Sequence, residues 1–391
     1  MQLHCPVGIR HFAGQISASG IDGSHAMMSG RERTLRALGK IEGLPDRVPF
    51  QFDLCRSLTE ELGRRLGMAP QYAHSYYEDL TYRISANAIR TALGSDCIVV
   101  GGTVARGFTP LPAGSGVLID EFGMGMRPTE LYMEVVKCPL AEVDSETELA
   151  AYSLPDPRAP GRFEAARMDI QRFGKDFFVI GDAELSLFEL AWHLVGMEKY
   201  LIDFSLEKAW IEKLNDMIEQ WTTALALQLV SLGVDAIWLG EDLGTQTSML
   251  ISPDMWRERL KPRHARIIAQ LKKANPALLV AFHSDGAVAP LIDDFIELGV
   301  DIYNPVQPNV PGSEAQELQD RYGGRIAFFG GIDQQRLLPE GNPEAIRREV
   351  ASRARIMGGR GGYLMAPAHI IQADVSPETV LCLCDAVKGL A

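Results

Sequence analysis

Short, nearly continuous apolar runs punctuate this chain, and between them apolar residues recur every three or four positions. The runs are "RVPFQFD" (47–53), "CIVVGG" (97–102), "FFVIGD" (177–182), "VDAIWLG" (234–240), "LLVAFH" (278–283), "VDIYNP" (300–305), "IAFFGG" (326–331) and "GYLMAP" (362–367). A run apolar at successive positions predicts a strand covered on both faces, the condition of parallel strands flanked by helices. Helical spacing separates most of them, as in "SPDMWRERLKPRHARIIAQLKKANP" before the fifth and "NPEAIRREVASRARIMGG" before the eighth. Eight such units predict an α/β fold, a (β/α)8 TIM barrel, with an open doubly wound sheet as the competing architecture.

The rhythm begins at Ser29, which is placed to cap a helix carrying Leu35 and Leu38 on one face. Residues 1–28 carry Gly and Ser without a period and are expected to form a loose N-terminal arm before one barrel domain, 29–391. Between 103 and 160 the alternation breaks. This stretch holds the hairpin-like "GVLIDEFGMGMRP" and the Pro-rich "SLPDPRAPGR", and it is expected to be an insertion decorating the barrel. The Gly-rich "GGRGGY" (358–363) lacks the strand-first spacing of a dinucleotide site and predicts a turn at a helix end. Tyr303 and Trp238 lie on predicted strands and are expected in the core.

Just past the predicted strands lie Asp53, Asp182, Glu241 with Asp242, His283 with Asp285, Gln307, Asp333 and His369. In a barrel these positions share one rim, where the loops following the strands build the active site. Helix capping accounts equally well for Asp182 and Asp333. His283 and Asp285 are two apart, so in extended chain they point the same way. Together with His369 and Glu241 they offer nitrogen and oxygen ligands suited to zinc, though without a contiguous ligand motif they also suit a packed interior. A one-residue shift at the strand end exchanges Glu241 and Asp242, so spacing leaves open which of them faces the rim.

Charge narrows the function classes. A net charge of −13 argues against non-specific nucleic-acid binding, which needs a basic surface. The six cysteines form no CxxC pair and no disulfide framework is expected. With no long uncharged apolar run and no signal-peptide pattern, the expected compartment is the cytoplasm.

Several segments resemble the uroporphyrinogen decarboxylase superfamily, in order along about residues 30–390: "RERTLRALGKIEGLPDRVPFQFD", "DEFGMGMRP", "EDLGTQTSMLISPDMWRERLKPRH", "FHSDGAVAPLIDDFIELGVDIYNPVQP", "FFGGIDQQRLLPEGNPEAIRREV" and "GGYLMAPAHIIQADVSPETV". The resemblance implies a (β/α)8 barrel and one of two chemistries, porphyrinogen decarboxylation or zinc-dependent methyl transfer to or from corrinoid proteins. Decarboxylases resemble one another in an "RQAGR"-type segment after the first strand. Here the segment reads "FDLCRSLTEEL", with Arg56 the only arginine between Arg47 and Arg64, so anchoring of several substrate carboxylates is poorly provided for. His369 does match the late histidine of the decarboxylases.

In the methyltransferase branch the metal ligands resemble a His-x-Cys pair after the fifth strand and a Cys after the eighth. Those positions are His283, Asp285 and His369, so both thiolates are replaced. A His/Asp/His set leaves zinc more electrophilic, suited to polarise an oxygen rather than to activate a thiol. The resemblance therefore implies zinc held by His283, Asp285, His369 and Glu241 in the first methyltransferase of an O-demethylase system. Such a protein moves a methyl group from a small methoxylated, aromatic substrate to a Co(I) corrinoid. Asp53, Asp182, Gln307 and Asp333 are expected to orient the substrate or the ligands. No "DxHxxG" segment occurs, so the corrinoid is expected on a partner protein, and a homodimer is the expected assembly. The alternatives are a thiol- or pterin-directed methyltransferase, a metal-free decarboxylase, and a non-catalytic barrel that binds a corrinoid protein.

Overall fold

The computed structural model describes residues 28–75, 78–129 and 133–390. The expected arm, 1–28, lies outside them except for Met28. Along the chain come β1 (Cys97–Gly101), then four short strands of the insertion, β2 (Leu111–Pro112), β3 (Leu118–Ile119), β4 (Gly125–Pro128) and β5 (Met133–Lys137). After these follow β6 (Phe178–Ala183), β7 (Ala236–Gly240), β8 (Leu279–His283), β9 (Ile302–Val306), β10 (Ala327–Ile332) and β11 (Tyr363–Pro367). β1 and β6 to β11 pair in sequence order, all parallel, and curl into a TIM barrel.

The eighth position belongs to the segment 48–54, where a full strand was expected. It meets β11 by backbone bonds, Gln51 N to Met365 O at 3.0 Å and Met365 N to Pro49 O at 2.9 Å. Toward β1 it has no regular ladder. Pro49 has no N–H to give; one backbone bond, Asp96 N to Phe50 O at 2.7 Å, crosses the seam, and side chains fill the rest of the gap. Phe50 N donates to Asp96 Oδ2 at 2.8 Å, and Arg90 Nη1 donates to Phe52 O at 2.9 Å. Asn87 serves Val99 as a strand edge would, accepting its N–H at 3.0 Å and donating to its carbonyl at 2.7 Å.

Alternate residues point into the barrel, as the two-residue period of a strand requires. Ile180, Trp238, Ala281, Ile302 and Phe329 belong to the inner cluster, whereas Val179, Ile237 and Val280 pack outward under the helices. The helix Gly30–Ala37, capped as expected by Ser29 Oγ on Glu32 N (3.1 Å), brings Leu35 and Leu38 against the inner cluster at the bottom. "GGRGGY" is the expected turn between the helix Pro343–Gly358 and β11. No helix among the described residues is long and apolar enough to cross a membrane.

The insertion holds more structure than a hairpin: β2 to β5 form a four-stranded antiparallel sheet. Its turn between β3 and β4 is tied by Asp120 Oδ1, which accepts from Met124 N (2.8 Å) and Phe122 N (2.9 Å). Asp120 Oδ2 has no partner, and burial pushes this carboxyl up to about 7. A folded-state value above the ordinary one means its stabilising contribution is complete in acid and lost as pH rises through about 7. Asp120→Asn is therefore expected to melt above the parent near pH ~8 and to lose that advantage only below about pH 4, the ordinary carboxyl value, as read by paired thermal melts.

Candidate metal centre

Strand parity decides which polar residues reach the mouth of the barrel. On β8 the inward series Leu279 and Ala281 continues to His283 and, past the strand, Asp285. On β7, Ala236 and Trp238 are followed by Gly240 and then Asp242. On β6, Ile180 leads to Asp182 and Glu184, and on β9 Ile302 leads to Asn304. Gly240 has to be glycine, because a Cβ there would overlap the Glu184 side chain and lie 3.0 Å from His283 Cβ.

The same parity corrects one expectation. Glu241 turns away from the mouth and is fully buried among the helices, its Oε1 3.2 Å from His264 Nε2 and its Oε2 accepting from Glu189 N at 3.0 Å. Asp242 takes the place expected for it.

Ligand atoms of Asp242, His283 and Asp285 all lie within 4.8 Å of one another. His283 Nε2 is 3.5 Å from Asp242 Oδ1, 3.9 Å from Asp285 Oδ1 and 3.4 Å from Glu184 Oε1. Zinc bonds of about 2.0–2.1 Å in a tetrahedron separate neighbouring ligand atoms by roughly 3.3–3.4 Å, so small adjustments would seat an ion. Asp285 Oδ1 is buried without a hydrogen bond, an acceptor with nothing to accept from. At the other ring nitrogen, Asn304 Oδ1 lies 2.6 Å from His283 Nδ1. With Nδ1–H donating to that amide oxygen, Nε2 is the ring nitrogen left facing the cluster, for a proton or a metal ion.

The electrostatics favour a cation in this place. Burial works against charge on His283, yet Glu184, Asp242 and Asp285 together hold its pKa well above the ordinary value. Burial likewise raises Asp242, but the imidazole beside it outweighs this and holds the carboxyl at about 2. His369 stands at the rim, partly exposed, with Nε2 3.7 Å from Asp285 Oδ2. It approaches the cluster through that carboxylate.

The other expected residues separate by role. Asp53 is buried in a tight ion pair with Arg90 and accepts from Arg83 Nε at 3.0 Å. Asp182 faces a small inner cavity beside Glu184, and burial raises its carboxyl to about 7. Gln307 Oε1 accepts from Gly286 N at 2.7 Å and so fixes the turn after Asp285. Asp333 ties its own loop, accepting from Gln335 N, Arg336 N and Asn309 Nδ2. Tyr303 and Trp238 are core, as expected, and Trp238 floors the site with its ring centroid 6.1 Å from that of His283.

Sequence reasoning missed Arg83, Glu184 and Asn304. Glu184 was within reach, since the two-residue step from Asp182 leads to it. Arg83 was not: it sits in a turn with no pattern, pairs closely with Glu184, and lies 4.3 Å from the Trp238 ring centroid.

The family model described as Uroporphyrinogen decarboxylase (URO-D) matches residues 111–390. The chain belongs to the uroporphyrinogen decarboxylase family. Among its relatives is a uroporphyrinogen decarboxylase of Legionella pneumophila (strain Corby), 26% identical over 279 residues, covering 70% of this chain and 75% of the relative. A uroporphyrinogen decarboxylase of Xanthomonas euvesicatoria is 33% identical over 153 residues, 36% of this chain and 40% of that one. The solved structure of a methyltransferase from Methanosarcina mazei shares the fold, with a TM-score of 0.68 at 19% identity, covering 93% of this chain and 99% of that one.

In this member of the uroporphyrinogen decarboxylase family, two arginines that line or border the inner cavity are already committed. Arg83 is held by Asp53 and Glu184, and Arg162 by Glu121 through bonds of 2.6 and 2.8 Å. Asn304→Leu keeps the bulk but removes the acceptor that orients His283. If the cluster holds zinc, its affinity is expected to fall about 10–100-fold in this variant, measured by competition with a chromophoric chelator.

Proposed function

We propose that this protein is a zinc-dependent methyltransferase, the component that takes a methyl group from a small methoxylated aromatic compound and passes it to a Co(I) corrinoid on a separate protein. The observation that supports this most is the cluster of Asp242, His283 and Asp285, which joins one oriented imidazole to two carboxylates. Asp242, His283 and Asp285 would hold the metal, with His369 at its rim. A zinc ion in such a nitrogen and oxygen set acts as a Lewis acid on an ether oxygen, making a poor leaving group a better one.

The chain's own residues supply the remaining conditions. Asn304 fixes the ring of His283, and Arg83 holds Glu184 beside it. Trp238 closes the floor of the site, so the reacting oxygen is kept out of bulk water on that side. The paired state of Arg83 and Arg162 disfavours a substrate bearing many carboxylates, which would need free cations.

The test combines metal-loaded protein, methoxybenzenes and chemically reduced Co(I) cobalamin. Loss of the Co(I) absorbance with stoichiometric phenol formation supports the reading. Metal-free protein that releases carbon dioxide from a porphyrinogen would replace it with the decarboxylase of the curated relatives.

A further inference from the structure

Between the ends of β6 and β7 lies a set of polar contacts that the proposed reaction does not use. The end of β6 supplies Glu184 and the loop after β7 supplies Asp242, both beside His283. The two segments are locked together. Ser186 N donates to Gly240 O at 2.9 Å, and Gly240 N donates back to Ser186 Oγ at 3.0 Å. One step further, Glu189 N donates to Glu241 Oε2 at 3.0 Å, and Asp242 N donates to Glu189 Oε2 at 3.3 Å. Each glutamate thus accepts from the backbone of the other's segment, and both are buried.

The reciprocity has a local cause. The helix Phe188–Val195 begins after Leu187, which has no side chain to cap the orphan N–H groups of the first turn. Glu241 caps that turn from the neighbouring strand end, where the helix dipole favours an anion. The first turn in return presents Glu189, which holds the N–H of Asp242. This is the exchange of a capping box, closed between two segments instead of within one helix. Behind it, His264 Nε2 approaches Glu241 Oε1 at 3.2 Å, and its ring packs edge-on against Phe282, the residue before His283. Leu185, between Glu184 and Ser186, has a φ of 64°, a left-handed conformation that leucine rarely adopts. Such a backbone persists only where the surrounding bonds enforce it.

We propose that Glu189 and Glu241 are positioning residues for the metal centre. Their reciprocal clasp fixes Asp242, and through Ser186 also Glu184, at the spacing from His283 that an ion requires. The inference rests on the reading of Asp242, His283 and Asp285 as metal ligands. Neither glutamate belongs to that cluster of ligand atoms. A carboxylate free to swing serves an ion less well than one whose backbone is already held, because its freedom is lost on binding.

The test uses cobalt(II) as a coloured stand-in for zinc on the full chain, and reads dissociation constant, visible spectrum and melting temperature together. Glu189→Leu removes the acceptor for Asp242 N, whereas Glu189→Gln keeps an oxygen in its place. Cobalt(II) is expected to bind Glu189→Leu at least about tenfold more weakly, with altered ligand-field bands, and to bind Glu189→Gln within about threefold of the parent. Glu241→Leu and Glu241→Gln are expected to divide in the same way. Ile346→Ala, a core truncation on the helix against β10 and β11, is the control: its melting temperature falls while affinity and spectrum stay parental. Should Glu189→Leu fail to fold, Ser186→Ala takes its place, with weakened cobalt(II) binding expected and parental binding as the contrary result. Parental affinity and spectrum in folded Glu189→Leu, or equal losses in the leucine and glutamine variants, would overturn the proposal. A parent that binds neither cobalt(II) nor zinc overturns the metal reading itself, and with it the ion that the clasp is proposed to serve.

Discussion

Under the proposed zinc chemistry, His283→Ala is expected to lower zinc from about one per chain to under about a tenth while the protein stays folded. The imidazole is the only nitrogen ligand within the tight cluster, and its orientation is fixed by Asn304. Without it Asp242 and Asp285 face each other as like charges, and His369 reaches only the far oxygen of Asp285. Elemental analysis after purification without chelators, followed by a zinc add-back, reads the result directly. A variant that retains full zinc would remove His283 from the ligand set. Under the proposed function, methyl transfer should disappear together with the metal.

Arg83→Met is expected to cost about 3–5 kcal/mol of stability, the range seen when one member of a buried ion pair is removed. The Arg83 guanidinium lies among Asp53, Glu184 and Asp182, the last at 3.9 Å, and rests on the face of Trp238. Every one of these side chains is buried. Methionine fills most of the volume but leaves several carboxylates without their counter-charge. Adding Glu184→Gln should recover part of the loss, since removing both partners costs less than stranding one. Urea unfolding of parent, single and double variants checks both statements. A single-variant loss below about 1 kcal/mol would mean that water already screens the group.

Much of the barrel was legible because burial on both faces writes itself as continuous apolar runs, and seven of the eight became strands of the ladder. The exception, 47–53, reads as apolar for the same reason, but Pro49 and the side chains of Asn87, Arg90 and Asp96 replace the ladder on one flank. Those partners lie too far along the chain for a local pattern to reveal. His283 and Asp285 were legible because a two-residue step survives the end of a strand. Glu241 was misplaced because choosing between adjacent acids requires the phase of β7, which the inward Ala236 and Trp238 establish. The insertion hid its sheet in strands as short as Leu111–Pro112, below the length at which alternation can be counted. Arg83 and Asn304 act through tertiary partners, and neither carries a signal of its own.

The seam beside β1 makes the barrel uneven in a further respect. A ladder of backbone amides is indifferent to the letters that compose it, so most joints between neighbouring strands tolerate drift in their residues. At the seam, Asn87, Arg90 and Asp96 carry most of those bonds with their side chains. There the continuity of the fold is spelled rather than merely patterned. A saturation library across all eight joints should find seven permissive ones and a single joint where three amino acids admit almost no synonyms.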